Sequence, residues 1–120
     1  SRGVAVNFDP ANLVMCAGDN PAEAVRTLKD YVVHTHAKDG LMLRQTDTRR
    51  LYAPQYYGLE PEAWDCIKEV PLGEGGVNWN EYFQALREIG YDGYLTIERE
   101  VGEDPAKDIA LAADFLRKFM

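Results

Sequence analysis

Three segments of the sequence each end in a side chain that can bind a metal ion or transfer a proton. These side chains are the carboxylate of Asp9, the imidazole of His36 and the carboxylate of Glu98. Each lies at the end of a short apolar run that is typical of a buried β-strand. Two carboxylates and one imidazole are ligands suited to Mn²⁺, Mg²⁺, Co²⁺ or Zn²⁺. We therefore expect a divalent metal site where these three strand ends meet.

Each of these side chains, taken alone, also fits a structural role. Asp9 can cap the turn that follows it, and Glu98 can form a solvated ion pair with Arg99 or Lys38. A single histidine can be a hydrogen-bonded core residue. Ligand-type residues at three separate strand ends favour the metal site over these alternatives.

The segment 32–40 predicts the central strand of the fold. Side chains alternate along a strand, so His34, His36 and Lys38 are expected on one face and Val33 on the other. Two β-branched residues open the segment and Gly40 closes it. Histidine is a common metal ligand, so two histidines on one face indicate that this strand supplies functional side chains.

The predicted elements follow the order strand, helix, strand, loop, helix, strand and helix. Asn20, Asn78 and Asp104 indicate the helix starts, because their side chains can accept hydrogen bonds from the first N–H groups. Strands separated by helices are expected to be parallel, with their C-terminal ends at one ligand-binding edge. Residues 41–76 are expected to form a long loop, whose arginines and aromatic residues fit a substrate lid or a protein interface. A surface loop that is packed by its own aromatic residues is an equally open alternative.

Length and charge narrow the class of protein. The 120 residues suffice for a single domain, residues 1–120. With 13 basic and 20 acidic residues the net charge is −7, which argues against nucleic acid and anionic membrane surfaces as partners. We find no membrane-span or signal-peptide pattern and expect a soluble, cytoplasmic protein. Cys16 and Cys66 are expected to be reduced thiols, and the start at Ser1 rather than Met predicts a fragment or a processed chain.

Five motifs, in their order along the chain, resemble the C-terminal part of the xylose isomerase-like TIM barrels, the sugar phosphate isomerase and epimerase group. They are VNFDPANL at 6–13, HTHAKD at 34–39, VPLGEG at 70–75, IGYDG at 89–93 and LTIE at 95–98. The resemblance implies an α/β fold of about three βα units, strands six to eight of a (β/α)8 TIM barrel. It also implies that Asp9, His36 and Glu98 are metal ligands. The family's other ligand, a Glu on an earlier strand, has no counterpart in this chain.

The resemblance implies a metal-dependent isomerase or epimerase of sugars or sugar phosphates. A divalent ion would stabilise a cis-enediolate, and two glutamates would remove and return the proton, Glu98 being one of them. The expected substrate contacts are His34, Lys38, Asp39 and Asn12, although Lys38 and Asp39 can equally form a surface ion pair.

Two positions differ from the related ketohexose epimerases. Asn12 stands where those enzymes have a substrate-contacting histidine, and Met42 stands where they have a substrate-contacting arginine. These two differences argue against ketohexose epimerisation itself and leave the expected metal site unaffected.

Two other functions remain open. The first is a metal-dependent dehydratase of a cyclic polyol or keto acid, which also begins with proton abstraction beside a carbonyl. The second is a non-catalytic partial barrel that self-associates through its open strand edges. We expect a sugar or polyol as the small-molecule partner, a homo-oligomeric assembly, and weak or no activity for this chain alone.

Overall fold

The structure is a computed structural model that describes residues 3–120. Its strands are β1 (Val6–Phe8), β2 (Val32–Ala37), β3 (Asp39–Met42), β4 (Ile67–Val70) and β5 (Leu95–Ile97). Its α-helices are α1 (Pro10–Asn12), α2 (Pro21–Thr27), α3 (Thr48–Leu51), α4 (Trp79–Glu88) and α5 (Pro105–Leu116). A π-helical turn, Leu13–Ala17, extends α1, and 3₁₀ turns are formed by Pro54–Tyr56, Trp64–Cys66 and Arg117–Phe119. Within residues 3–120, every helix is too short or too polar to cross a bilayer.

The main sheet is parallel, as the alternation of strands and helices predicts. It has three strands in the order β1-β2-β5. The helices α2 and α4 pack together against one face of this sheet, where Phe8, Val25, Tyr82 and Leu86 form the centre of the core. Because neighbouring parallel strands point the same way, the C-terminal ends of β1, β2 and β5 lie side by side.

The predicted helix caps are confirmed at three helices. The side chain of Asn20 accepts hydrogen bonds from the first turn of α2, that of Asn78 from α4 and that of Asp104 from α5. Each cap satisfies N–H groups that have no partner inside the helix. These local signals therefore set where the crossover helices begin.

The predicted regular alternation of β2 is broken by a β-bulge. Val32 pairs with Val6 and His34 pairs with Asn7, so Val33 is the extra residue of the bulge and is 63% exposed. His34 and His36 still share a face, with their rings perpendicular at 6.1 Å between centroids. A bulge shifts the side-chain alternation by one residue, which pattern counting alone does not detect.

The predicted extent of the central strand and the predicted loop that follows it are both wrong. The strand β2 ends at Ala37, and Asp39 begins β3, which pairs antiparallel with β4. In this second sheet Asp39 lies opposite Val70, and Met42 lies opposite Ile67. The two strands are only four residues long and far apart in sequence, so neither shows a recognisable period.

Asp39 anchors the glycine-rich segment 71–76 to this sheet. Its side chain is fully buried, and five N–H groups donate hydrogen bonds of 2.9–3.2 Å to its carboxylate. The donors are the backbone N–H groups of Gly40, Gly73, Gly75 and Val77 and the indole Nε1 of Trp79. Glycine is required at position 75, because a Cβ atom there would overlap the Asp39 carboxylate.

Candidate metal centre

The parallel sheet brings the three predicted ligands together at its C-terminal edge. Asp9 directly follows β1, His36 is the last residue but one of β2, and Glu98 directly follows β5. One ligand atom from each side chain lies within 4.8 Å of the other two. His36 Nδ1 is 3.3 Å from Asp9 Oδ2 and 3.0 Å from Glu98 Oε2. All three side chains are partly buried, so they keep access to the solvent.

This donor set fits a small divalent cation. Ligand atoms about 2.1 Å from an ion lie about 3 Å apart on neighbouring positions of an octahedron. The spacing between the imidazole nitrogen and the two carboxylate oxygens is close to that value. Two carboxylates also balance the charge of a divalent ion, and one imidazole beside them is compatible with Mn²⁺, Co²⁺ or Zn²⁺.

Asp9 uses its two oxygens for different tasks. Oδ1 accepts a hydrogen bond of 3.0 Å from the Asn12 backbone N–H and so caps α1, while Oδ2 faces His36. The proline at position 10 begins the helix and ends the strand, which fixes Asp9 between the two. The capping role that the sequence left open as an alternative is therefore compatible with the ligand role.

Asn7 is a site residue that the sequence motifs did not indicate. Its side-chain amide lies 3.1 Å from His36 Nε2, the ring nitrogen opposite the one that faces the carboxylates. With a metal ion on Nδ1, Nε2 carries the proton and donates, so the amide would turn its Oδ1 toward the ring to accept. Metal-binding histidines usually hydrogen-bond through their second nitrogen, which fixes the ring orientation. The available signal was alternation, since Asn7 and Asp9 are two residues apart and so share a face of the strand.

We predict that Asn7→Ala weakens the binding of Mn²⁺ about tenfold or more, because the His36 ring loses the partner that orients it. Isothermal titration calorimetry with Mn²⁺ measures the change. Asn80→Ala removes an exposed amide from α4 and serves as the matched control. A Kd for Asn7→Ala within twofold of the control would show that Asn7 does not orient the ligand.

Lys38 is buried beside the candidate ligands and holds Glu98 in place. Its Nζ lies 3.3 Å from Glu98 Oε2 and 3.5 Å from Glu69 Oε2, and it also donates to Glu100. Burial alone would lower the pKa of Lys38, but the hydrogen bond to Glu100 and the nearby negative charges raise this pKa above its usual value. Lys38 is therefore a cation surrounded by carboxylates.

A second ion-paired residue fixes the segment that carries Glu98. Arg99 donates hydrogen bonds of 2.8 Å to Glu69 on β4 and to Asp108 on α5. The backbone N–H of Glu100 also donates to Glu69. Glu69 therefore links the second sheet to the end of β5, a role that its isolated position in the sequence does not indicate.

The ligands border an open cavity of about 640 Å³. Two of the predicted substrate contacts, Asn12 and Lys38, line this cavity. His34 lies outside the lining and bonds instead to Thr96 Oγ1 at 2.8 Å. Asp39 also lies outside the lining, where its carboxylate is fully buried and accepts hydrogen bonds from five N–H groups. The alternative of a surface ion pair between Lys38 and Asp39 is wrong, since both side chains are buried and Lys38 pairs with glutamates.

Curated relatives match parts of this chain. It is 28% identical over 104 residues to an inosose dehydratase from Lacticaseibacillus casei, a match that covers 87% of this chain and 32% of the relative. It is 42% identical over 56 residues to the L-ribulose-5-phosphate 3-epimerase UlaE of Escherichia coli, covering 45% of this chain and 20% of the relative. The chain therefore spans about a third or less of the length of these relatives.

A solved structure and a family model match nearly the whole chain. A xylose isomerase domain protein from Planctomyces limnophilus superposes with a TM-score of 0.68 at 36% identity, over 96% of this chain and 35% of that protein. The model of the family described as xylose isomerase-like TIM barrel matches residues 1–119. The chain therefore belongs to the xylose isomerase-like TIM barrel family.

Proposed function

We propose that the full-length protein is a metal-dependent isomerase or epimerase of a sugar or sugar phosphate. The observation that carries this proposal is the meeting of Asp9, His36 and Glu98 within 4.8 Å beside a cavity at the C-terminal edge of a parallel sheet. Open α/β sheets and TIM barrels bind their substrates at this edge. The match to a sugar phosphate epimerase supports the same reaction class.

Asp9, His36 and Glu98 would hold the divalent ion. When bound, such an ion polarises the carbonyl and hydroxyl oxygens of a substrate and stabilises the negative charge that develops on them. Of the two Glu98 oxygens, Oε2 faces His36 and Lys38, which leaves Oε1 to reach the substrate.

Glu98 would act as the base of the reaction. Its carboxylate takes a proton from the carbon next to the substrate carbonyl, and the electron pair of the broken C–H bond forms an enediolate. Return of a proton to the neighbouring carbon, with transfer of the hydroxyl proton to the former carbonyl oxygen, gives an isomer. Return of a proton to the opposite face of the same carbon gives an epimer. A second acid on the opposite face is needed for epimerisation, and we assign it to a part of the barrel outside this chain.

A dehydratase is the second candidate, and the extent of one match favours it. The similarity to inosose dehydratase extends over 87% of this chain, against 45% for the epimerase. A dehydratase shares the first step, after which the enolate expels the hydroxyl group on the next carbon. The proton that Glu98 took up would pass to this hydroxyl group, so that it leaves as water. The same Glu98 carboxylate would start both reactions.

Deuterium exchange tests the proposal. The full-length protein, loaded with Mn²⁺, is incubated in D₂O with L-ribulose 5-phosphate, unphosphorylated ketoses and an inosose. We expect Mn²⁺-dependent incorporation of deuterium at the carbon beside the carbonyl, detected by NMR. The His36→Ala variant should lose both this incorporation and the binding of Mn²⁺. A product lighter by one water identifies a dehydratase. Both enzymatic proposals would be contradicted if the Mn²⁺-loaded protein exchanges no deuterium with any substrate and sediments as an oligomer without catalytic activity.

A further inference from the structure

We infer that the natural substrate is unphosphorylated and that its C–H face stacks on an aromatic wall formed by Tyr52 and Trp64. This inference rests on the proposed function, since it takes the cavity beside Asp9, His36 and Glu98 as the substrate site. It specifies the charge of the substrate and names two residues that select it.

The aromatic wall is exposed to the cavity and yet held in place. Tyr52 and Trp64 line the cavity and are 48% and 55% exposed, with their rings perpendicular at 5.6 Å between centroids. The Tyr52 hydroxyl shares a hydrogen bond of 3.2 Å with the buried Cys16 Sγ, and Trp64 begins a turn that ends at the fully buried Cys66. Fixed aromatic rings offer apolar contact area at a low entropic cost. The C–H face of a sugar or polyol is the part of the substrate that fits such a surface.

The charge of the cavity disfavours a phosphate. Four carboxylates line it, belonging to Asp9, Glu69, Glu98 and Glu100. Among the described residues of this lining, Lys38 is the one cation besides an imidazole, and it already contacts three of those carboxylates. With a divalent ion on Asp9, His36 and Glu98, the four carboxylates, Lys38 and the ion still sum to about −1. A phosphate group away from the ion would therefore face Glu69 and Glu100, whose partner Lys38 is already occupied.

The backbone groups that would suit a phosphate are already occupied. TIM barrels frequently bind phosphate with backbone N–H groups of the loops after their last strands. In this chain the glycine-rich segment 71–76 has that character, but the N–H groups of Gly73 and Gly75 and the following Val77 donate to Asp39. These three N–H groups are therefore not free to bind a phosphate.

Matched pairs of ligands test the charge preference. Dissociation constants are measured by calorimetry on the Mn²⁺-loaded full-length protein for L-ribulose and L-ribulose 5-phosphate, D-fructose and D-fructose 6-phosphate, and myo-inositol and its monophosphate. We expect a neutral member to bind at least about tenfold more tightly than its ester, since the ester brings an unpaired charge into the cavity. The inference is overturned when every ester binds as tightly as its neutral partner, or when no neutral member binds.

Substitution of the wall tests the stacking contact. Trp64→Ala is expected to raise the Kd of the preferred neutral ligand about tenfold, whereas Trp64→Phe keeps a ring and stays within about threefold. The Kd for Mn²⁺ stays unchanged in both variants, which shows that the fold and the ligands are intact. An unchanged Kd for the sugar in Trp64→Ala overturns the inference. A change in sedimentation of this variant would then identify the wall as a protein interface, and unchanged sedimentation would identify it as a surface feature.

These measurements separate this inference from the proposed function. Sugar binding is measured without turnover. A protein that binds neutral sugars at Trp64 but exchanges no deuterium therefore contradicts the proposed function and supports the stacking contact. A protein that exchanges deuterium only with phosphate esters keeps the proposed function but contradicts the inference that the natural substrate is unphosphorylated.

Discussion

Asp39→Asn is expected to lower the free energy of unfolding by about 3 kcal/mol or more, the range observed when one member of a buried charged hydrogen-bond network is removed. The Asp39 carboxylate accepts five hydrogen bonds, two at Oδ1 and three at Oδ2. An amide keeps one acceptor oxygen, and its NH₂ group then points at N–H donors that have lost their acceptor. Whichever way the amide is turned, at least two of the five donors lose their acceptor.

Urea unfolding measures this change, with the exposed Asp30→Asn as the matched control for the same chemical substitution. We expect the control to stay within about 0.5 kcal/mol of the unchanged protein. Because the segment 71–76 is held by Asp39, proteolysis of the variant should begin there. An Asp39→Asn protein as stable as the control would mean that the glycine-rich segment is held by its backbone alone, and that the five hydrogen bonds contribute nothing net.

Much of the framework around the site was predictable from the sequence. The caps at Asn20, Asn78 and Asp104 act within four residues, and the rule that parallel strands end at one edge needs only the order of the elements. Those two kinds of information were enough to expect Asp9, His36 and Glu98 at one edge. Which three of the eight barrel strands these are stays a prediction.

The surroundings of the site depended on contacts that sequence patterns do not carry. Lys38 and Asp39 are adjacent and both charged, and the sequence offered the same roles for each. The structure separates them, because Asp39 begins β3 and turns its side chain into the glycine-rich segment, whereas Lys38 faces the cavity. That difference arises from the pairing of β3 with β4, which joins residues about 30 positions apart. Glu69 was overlooked for the same reason.

Glu98→Gln is expected to lower the rate of deuterium exchange by about 10³-fold, the usual contribution of a general base. The substitution keeps the size and the hydrogen-bonding ability of the side chain but removes its charge and its ability to take a proton. Glu103→Gln, an exposed glutamate five residues further along the same segment, is the matched control and should exchange deuterium at the unchanged rate.

Saturation with Mn²⁺ separates the two roles that Glu98 would combine. Asp9→Asn removes a ligand charge and leaves the proposed base intact, so high Mn²⁺ should restore much of its exchange rate. Glu98→Gln should stay slow at any Mn²⁺ concentration at which calorimetry shows the ion bound, because the missing step is proton transfer. Full recovery of Glu98→Gln by Mn²⁺ would instead make Glu98 a ligand only. The base would then have to come from a part of the barrel outside this chain, and Lys38 would serve to hold a metal ligand in place.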